Sequence, residues 1–329
     1  MKKYIIYLFV SAVFIHAQDG FSKINSMPGS FARMGFGARG MGMGNAMLAV
    51  TNGNVVSFYN PAVPVVQEGN SLQASYSFLS MDRSLNFLSF TRRFDFYSKK
   101  NDSNVPSSTA GVSAGLINKG VGEISLRDRE GEQIGTFDEV EDVFFLGIAN
   151  RFSNKIAVGI MAKYYYNKIH KDVSATALGV DIGVIYFASE NLTYAASICD
   201  INATYKWDTG NIYGQDGNKT EPKFPVLKKI GVAYRFDDPK ILASVEFENS
   251  NAGTNFLRMG AEYNIFESLF LRTGFDKLNF SNFDYPMKLS FGFSYFYNTG
   301  GFTAGIDYAF VIEPYSPSDQ HIIGVNFKL

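Results

Sequence analysis

The chain has 329 residues, a formal net charge of −1 and 46% hydrophobic residues. Such a balance provides neither a basic field that would attract nucleic acid nor an acidic tail. A single cysteine, Cys199, excludes a disulfide framework and a thiol metal site within one chain. Gly and Phe each occur 31 times and aromatic residues reach 16%, a composition that favours strands and turns over helices.

The N-terminus has the pattern of a secretory signal peptide. Lys2 and Lys3 precede an apolar run from Ile5 to Ile15, and Ala17 is a plausible cleavage site. We therefore predict a signal peptide over residues 1–17. No later stretch holds about 18 uninterrupted apolar residues, so no transmembrane helix is expected. An exported chain of this kind is either a soluble protein or an outer-membrane β-barrel.

A Gly- and Met-rich stretch, Phe31–Pro64, precedes the strand-like part of the chain and does not alternate like a strand. We predict that residues 18–69 form a lead-in followed by a plug or hatch, with a short helix at Asn45–Val50. Glycines allow tight turns in a crowded lumen, and methionines give adaptable apolar contacts. A nucleotide loop is excluded because no P-loop Lys-Ser/Thr follows. The candidate ligand or gate residues are Phe31, Arg33, Arg39, Met41, Met43, Asn60 and Pro61.

Two arginines are the only charges of the plug stretch, Arg33 and Arg39. Inside a barrel they need acidic partners from the wall, because a buried charge is costly unless it is paired. Asp181 and Glu246 are the candidate partners. The alternative is that both arginines lie at the solvated periplasmic mouth, or that the plug is purely structural.

From Asn70 onward the chain alternates with a period of two. In Ser71–Phe78, for example, Leu72 and Tyr76 share one face with other apolar residues, and the opposite face is polar. We predict an all-β fold: a transmembrane antiparallel β-barrel of about 14 strands over residues 70–329, with the plug in its lumen. The predicted strands are 70–80, 84–96, 108–119, 140–152, 155–168, 174–188, 191–203, 226–236, 240–249, 255–265, 268–278, 287–297, 302–312 and 320–329.

The connections support a barrel over the alternative, a soluble two-sheet sandwich. From the fourth strand on, tight turns alternate with longer connections, as expected for periplasmic turns and outer loops; the first two connections break this order. The last residues alternate up to Leu329, as in a final strand read by barrel-assembly machinery. Aromatic residues beside the turns predict a girdle at one membrane interface. These are Phe152, Tyr186, Phe187, Tyr234, Phe236, Phe266, Phe296 and Tyr297.

Several motifs resemble those of the PorV/PorQ family, within the wider FadL-like group of outer-membrane proteins. The sequence GARGMGMGNA at 37–46, followed by YNPA at 59–62, resembles the N-terminal signature of that family. Further matches lie within Gly122–Phe137, Lys155–Tyr164 and Ser174–Gly183, and they are most similar to the PorQ branch. Together these motifs span most of the mature chain.

The resemblance implies a fourteen-stranded barrel with an N-terminal segment in the lumen. FadL-like relatives move hydrophobic compounds across the outer membrane. PorV- and PorQ-like relatives belong to the type IX secretion system, in which a PorV-like protein captures the C-terminal domain of secreted cargo. The family name alone therefore leaves transport and secretion open.

Two outer loops are candidate contact sites. The acidic run Arg127–Asp142 is a solvated loop or a calcium site, since carboxylates are ligands for hard cations. The aromatic loop at 204–225 is the candidate partner-binding loop, because exposed aromatic residues anchor interfaces; the alternative is a lid folded over the barrel. The candidate partner residues are Tyr205, Trp207, Tyr213 and Phe224.

The motif Gly111–Gly115 matches the GxSxG pattern of serine hydrolases, with Ser113 as the nucleophile. That motif requires a sharp strand-to-helix turn, whereas Ser113 falls in the middle of a predicted strand. The mature histidines, His170 and His321, fall near the outer ends of predicted strands. We predict no metal and no cofactor.

Taken together, these patterns predict a non-enzymatic barrel of the outer membrane. It transports hydrophobic compounds or serves protein secretion. The expected partners are outer-membrane lipid, the barrel-assembly machinery, and either hydrophobic small molecules or secreted cargo with type IX components. The alternatives are an outer-membrane lipid hydrolase that uses Ser113 and a purely structural barrel.

Overall fold

The structure is a computed structural model that describes residues 23–97, 106–280, 286–314 and 316–329. Within these residues, fourteen antiparallel strands close into one barrel. Its first seven strands are β1 (Asn70–Phe78), β2 (Arg83–Phe96), β3 (Ser108–Arg127), β4 (Gln133–Arg151), β5 (Ile156–His170), β6 (Val173–Phe187) and β7 (Leu192–Ile201). The predicted signal peptide lies outside the described residues.

An outer loop carrying a two-stranded pair, β8 (Trp207–Asp208) and β9 (Lys219–Thr220), follows β7. The barrel then continues with β10 (Leu227–Phe236), β11 (Ile241–Ser250), β12 (Asn255–Phe266), β13 (Leu269–Asn279), β14 (Lys288–Asn298), β15 (Thr303–Val311) and β16 (Gln320–Lys328). The helical elements are α1 (Ala38–Gly42), α2 (Gly210–Tyr213) and 3-10 turns at Lys23–Ser26, Phe31–Arg33, Val63–Val66 and Gly214–Asp216.

Hydrogen bonds between the first and last strands close the sheet. β1 pairs with β16, from Ser71 opposite Lys328 to Phe78 opposite His321. On its other edge β1 pairs with β2. Closure satisfies the backbone of every strand and removes the open edges that a bilayer does not tolerate. The predicted fourteen-stranded antiparallel barrel is confirmed.

The outward face of the wall is apolar. On β4, Leu146 and Ile148 are 57% and 56% exposed, whereas the inward Ser71 and Ser77 of β1 are 1% exposed. A soluble sandwich has its polar face outside, so this inverted pattern contradicts the sandwich alternative and is that of a lipid-facing barrel. Among the described helices, none is long and apolar enough to cross a membrane.

Two levels on the outer surface bound the apolar belt. At one level Asn86 donates to Asn118 over 3.0 Å and Asn118 donates to Asp142 over 2.7 Å, which makes a polar row across β2, β3 and β4. At the other end, beside the short turns, Phe152 and Phe266 are 72% and 68% exposed. The outer-leaflet boundary therefore lies near the polar row, and an aromatic level marks the opposite boundary.

Six of the eight predicted girdle residues are exposed: Phe152, Tyr186, Tyr234, Phe236, Phe266 and Tyr297. The other two, Phe187 and Phe296, point inward because they occupy the opposite phase of their strands. Phe187 lies 4.6 Å from the Arg151 guanidinium, and Phe296 packs edge-on against Phe270.

The alternation of short and long connections holds in part. The end of the barrel that carries the β1 start and the β16 end has short turns at 152–155, 188–191, 237–240, 267–268 and 299–302. The opposite end has longer connections at 202–226, 280–287 and 312–319, but also short ones at 79–82, 171–172 and 251–254. The connection at 97–107 falls partly outside the described residues.

Long strands, rather than long loops, extend the barrel at its outer end. β3 ends at Arg127 and β4 begins at Gln133, so the acidic run Arg127–Asp142, predicted as a loop, lies mostly in a projecting hairpin. In the described ranges, no group of three or more His, Cys, Asp or Glu side chains is placed to hold a metal ion. The hairpin thus gives the calcium alternative no support.

The predicted helix at Asn45–Val50 is wrong. The helix lies earlier, at Ala38–Gly42, and Asn45 has a positive φ of 59° that a right-handed helix cannot continue. The Asn45 carboxamide instead bonds Asp276 on β13 and the hydroxyl of Tyr59. Side-chain bonds to the wall, rather than helical periodicity, decide this local backbone.

Leu146→Arg tests the lipid-facing assignment. An arginine near the middle of the apolar belt is expected to cost about 2–4 kcal/mol of barrel stability, because a charge faces hydrocarbon. Ile134→Arg is the matched control, since Ile134 is 61% exposed on the projecting part of the same strand. Unfolding in guanidinium from lipid vesicles measures both variants, and equal effects would contradict the membrane position of β4.

Candidate functional site

The N-terminal segment, defined here as residues 31–66, lies against the inner face of the wall. Wall glycines make room for its backbone: a Cβ on Gly159 would overlap Pro61, and a Cβ on Gly274 would overlap Met43 and Gly44. Small residues on the strands therefore permit direct backbone contact, which larger side chains would prevent. Met43 is fully buried in this contact.

The front half of the segment, residues 38–50, is held by a buried ion pair. Arg39 donates from Nε and Nη2 to the two carboxylate oxygens of Glu262 on β12, over 2.9 and 2.8 Å. Its Nη1 donates to the carbonyls of Asn52 and Asn54, over 2.7 and 2.8 Å. The same Glu262 carboxylate accepts from Arg272 Nε over 2.6 Å. Two-point contacts of this kind are among the strongest polar contacts in proteins.

A second charged cluster of the wall holds the front half further along the chain, at Asn45 and Leu48. Asn45 Nδ2 donates to Asp276 over 3.0 Å, and Asp276 also accepts from Arg258 over 2.6 Å. Arg258 donates in turn to Glu246 over 3.1 Å, and Glu246 accepts the backbone N–H of Leu48 over 3.2 Å. The charges of the wall thus bond one another and the segment at the same time.

The back half, residues 55–66, forms its hydrogen bonds with uncharged groups of the described wall, and its Phe58 ring lies 4.2 Å from Lys163 Nζ on β5. Ser57 donates to Ser113 on β3 over 2.6 Å, and Gln73 on β1 donates to the Val55 carbonyl over 2.9 Å. Asn60 donates to the Leu48 carbonyl over 2.9 Å and is itself fully buried. Hydroxyl and amide bonds of this kind contribute less than charge-assisted ones.

The arginine partners differ from those expected. Arg39 pairs with Glu262, whereas Asp181 pairs with Lys163 over 2.6 Å and Glu246 with Arg258. Arg33 forms no ion pair with a carboxylate of the described residues: its guanidinium donates to the backbone carbonyls of Ile24, Met27 and Pro28 at 2.7–3.1 Å.

The other predicted segment residues lie at separate places along the lumen. Phe31 packs edge-on against Tyr165 of β5, near the outer end. Met41 packs in a small apolar cluster with Ala309 and Ile322 on β15 and β16. Pro61 contacts the backbone of β5 at Gly159. The structure therefore gathers these residues into a packed segment, not into one binding pocket.

The aromatic outer loop folds back over the barrel. Tyr205 and Phe224 are 2% exposed and their rings lie 4.9 Å apart; Phe224 also lies 4.6 Å from Tyr165. Burial raises the pKa of the Tyr205 hydroxyl, so it stays protonated. Trp207 packs on Tyr205, and Tyr213 stays 63% exposed. The lid alternative fits this loop, and Tyr213 alone of the four candidates is openly accessible.

Cavities lined by described residues occur in the lumen and at its mouth. One of about 40 Å³ lies between the segment and the charged wall, beside Arg33, Lys163 and Glu248. A wider one, of about 550 Å³, opens at the short-turn end beside Asn52 and Phe270. The lumenal cavity holds about one water. Where described residues line the lumen, a compound larger than this cavity passes only if part of the segment moves.

Ser113 does not have a hydrolase environment. It is fully buried in the middle of β3, and its hydroxyl contacts those of Ser57 and Thr91, at 2.6 and 3.1 Å. His321 instead bonds Tyr308, and His170 lies at the far end of β5 beside Asp172. No base reaches Ser113 within these contacts, and nucleophilic catalysis needs one.

Sequence reasoning named Glu246 as an acidic residue of the wall but missed the other charged residues that hold the segment. Arg258 and Glu262 lie in the predicted strand 255–265, four residues apart, and so in the same phase of the alternation. Arg272 and Asp276 repeat that spacing on the next strand. Charged residues at lumen-facing positions of neighbouring strands indicate a charge network inside the barrel. The even spacing within each pair was therefore sufficient to identify these four residues from the sequence.

Comparisons with solved structures found similar barrels. The Ralstonia pickettii toluene transporter TbuX has 13% sequence identity and a TM-score of 0.56, with 89% of this chain and 97% of that chain covered. The Pseudomonas putida toluene transporter TodX has 13% identity and a TM-score of 0.51, with the same coverage. A Pseudomonas aeruginosa FadL homologue has 11% identity and a TM-score of 0.52, with 88% and 97% covered.

No protein-family model matches the sequence, and no curated protein matches it. At identities this low, the structural similarity shows the fold. The chain therefore has the fold of FadL-type membrane barrels.

Glu262→Gln tests the anchor of the front half. It removes the charge that Arg39 and Arg272 share, and loss of one partner of a buried pair is expected to cost about 3–5 kcal/mol. Trypsin should then cleave at Arg39, which is 7% exposed in the native barrel. Cleavage is followed by mass spectrometry of the folded protein in detergent.

The matched control for that variant is Glu68→Gln. Lys328 donates to Glu68 over 2.7 Å and lowers its pKa, but the Glu68 side chain is 75% exposed. An exposed pair contributes at most about 1 kcal/mol, so this variant should leave Arg39 protected. If both variants protect Arg39 equally, the Glu262 pair does not anchor the segment.

Gly274→Ala tests the contact between segment and wall. Its Cβ would overlap the backbone of Met43 and Gly44, so the front half must shift and expose Arg39 to trypsin. Gly120→Ala is the control, because the nearest atom to its Cβ is 3.8 Å away. Unchanged protection in both variants would show that the segment does not press on β13.

Proposed function

We propose that the chain is a non-enzymatic FadL-like barrel of the outer membrane that passes hydrophobic compounds. The observation that carries the proposal is the closed barrel with its N-terminal segment packed in the lumen, in the fold of channels for such compounds. Two of the similar structures are described as toluene transporters. The predicted signal peptide and the apolar belt support an outer-membrane location.

The motifs within residues 37–62 support placement in the PorV/PorQ branch of that group. The predicted partners follow from this location. Lipid covers the belt, and the barrel-assembly machinery reads the last strand, where Phe327 and Leu329 alternate with inward polar residues. No cofactor takes part in this function, because facilitated diffusion needs none.

Uptake of labelled toluene tests the transport proposal. The chain is expressed in a Gram-negative host that lacks channels of this type, and initial uptake is expected to rise severalfold over an empty vector. The control is a host that expresses a barrel of similar size from another fold group. Uptake no faster than in the control would refute transport of this compound and favour a purely structural barrel.

A second candidate function is the holding of exported protein at the cell surface, as part of a type IX secretion system. The exposed Tyr213 and Ile212 on the aromatic loop, at 63% and 41%, favour it, because exposed apolar residues on a loop tip anchor partners. Photo-cross-linking from position 213, in a host with a type IX system, should recover a secreted protein. Recovery of no protein from that site, with a working cross-linker at position 134 as control, would exclude this role for the loop.

Ser113→Ala separates transport from hydrolysis. A hydrolase that uses this nucleophile would lose about 10³-fold or more of its esterase rate. We expect no change, since Ser113 is held by Ser57 and Thr91 instead of by a base. Hydrolysis of p-nitrophenyl butyrate by the purified barrel is the measurement, and a serine-dependent rate would overturn the non-enzymatic proposal.

A further inference from the structure

The lumen wall carries buried charges on several strands, including Lys163, Asp181 and Asp200 on β5–β7, and it also has a neutral part. Two regions of the wall are named here the charged arc and the neutral arc. The charged arc consists of inward side chains on β11–β13 and β15, namely Glu246, Arg258, Glu262, Arg272, Asp276 and Asp307. The neutral arc consists of the inward positions of β1–β3 within Ser71–Ser77, Leu85–Thr91 and Gly111–Ile117. The inward positions of those three ranges carry no charge; they are Ser, Thr, Gln, Gly and apolar residues. Strand pairing places them side by side, with Gln73 opposite Ser89 and Thr91 opposite Ser113.

The two halves of the N-terminal segment divide between these arcs. The front half is bonded to the charged arc through Arg39 on Glu262, Asn45 on Asp276 and the Leu48 N–H on Glu246. The back half contacts the neutral arc through Ser57 on Ser113 and Val55 on Gln73, and it also lies against β4 and β5, where the Phe58 ring is 4.2 Å from Lys163 Nζ. Charge-assisted bonds are about twice as strong as neutral ones, so the back half is the weaker attachment.

The neutral arc is also incompletely bonded. The hydroxyls of Ser77 and Ser89 are buried, at 1% exposure each, and have no hydrogen-bond partner; the Ser75 hydroxyl has none either. A buried hydroxyl left unpaired is unfavourable, and a solute or water that enters this face would supply the missing hydrogen bond. A small cavity of about 10 Å³ already lies here, beside Gln73, Ser75 and Phe87.

The loop at residues 52–54 is a fixed point between the front half and the back half of the segment. Gly53 has a φ of +67°, and its two neighbours, Asn52 and Asn54, give their carbonyls to Arg39. The chain is thus fixed at 52–54 by the same guanidinium that pairs with Glu262. Movement of residues 55–66 breaks the neutral bonds from Tyr59 to Asn45 and from Asn60 to the Leu48 carbonyl, but it leaves the Arg39–Glu262 ion pair in place.

We propose that solutes pass between the back half of the segment and the neutral arc, while the front half stays anchored. This inference rests on the proposed transport function and specifies its path and its solute class. The path is lined by hydroxyls and by Leu85, Phe87 and Ile117. Arg39 and Asp307 also border its small cavity, but they are already bonded to Glu262 and Asn326 and so offer no free counter-charge. A charged solute would lose its hydration there without compensation, so the path accepts neutral apolar compounds, including those with one hydrogen-bonding group.

Two disulfide tethers test which half moves. Ser57→Cys/Ser113→Cys links the back half to the neutral arc, where the two hydroxyls are 2.6 Å apart. Gly42→Cys/Ala309→Cys links the front half to β15, where the Cβ atoms would lie 3.6 Å apart, within the range of a disulfide. Oxidation and reduction are compared in the toluene uptake assay, and gel mobility of unheated and heated samples confirms that each barrel is folded.

The oxidised back tether is expected to lower toluene uptake at least tenfold, with recovery on reduction, and the oxidised front tether to change it less than twofold. If both tethers block, the whole segment leaves the lumen; if neither blocks, the path lies elsewhere. Either result overturns the inference. Absence of uptake in the reduced proteins as well would refute the proposed function itself, and the inference with it.

A charge on the neutral arc tests the solute class independently. Ser89→Asp places an anion on the proposed path, and toluene uptake is expected to fall at least fivefold. Ser125→Asp, on the exposed hairpin of β3, is the control and should retain native uptake. Equal uptake by the two folded variants would overturn the assignment of the path to this arc.

Discussion

Pairing of charge inside the lumen is the constraint on which the rest of the structure depends. The wall faces hydrocarbon on the outside, so every charged side chain of the spanning strands that cannot reach water must find its partner on the inside. Arg39 brings a cation from the N-terminal segment into a wall that already holds Arg272, and Glu262 accepts from both. Asp307, 3.9 Å from Arg272, supplies the second negative charge. Removal of any one of these four groups leaves an uncompensated charge, which links the segment to the wall energetically.

This pairing also requires small residues on the strands that the front half contacts. Where the front half lies against β12, β13 and β14, the strands have glycine at Gly260, Gly274 and Gly292, next to Met43 or Gly42. Backbone contact at those positions brings Arg39 and Asn45 within bonding distance of Glu262 and Asp276. Charge and residue size thus act together: the glycines set the approach, and the ion pairs fix the register.

Much of the fold could be predicted from the sequence, because apolar and polar residues alternate with a period of two along each strand of a membrane barrel. Fourteen strands and the lipid-facing residues were predictable from alternation, and Leu72 and Tyr76 show it plainly. The phase at Phe187 and Phe296 was missed because composition near a turn does not reveal which face a ring occupies. The Asn45–Val50 helix was missed because Asp276 and Tyr59, distant in sequence, decide that backbone.

The site was less predictable than the fold. The position of the segment in the lumen and the choice of Arg39 as a key residue followed from its few charges and its glycines. Its partner did not, because pairing across the lumen depends on strand tilt and shear as well as on phase. Tyr205 and Phe224 were candidates for a partner surface, and the structure buries them in a lid, since a long loop folds back wherever its own aromatic rings find apolar neighbours.

The polar row of Asn86, Asn118 and Asp142 also has a consequence for the choice of bilayer. From Asp142 to Arg151 the strand is roughly 30 Å long, or about 23 Å in height at a tilt of ~40°. That height is several ångströms less than the ~30 Å hydrocarbon core of an ordinary bilayer. Hydrophobic mismatch would then thin a thick membrane around β2–β5, so short-chain lipids should favour insertion and the native function of the barrel.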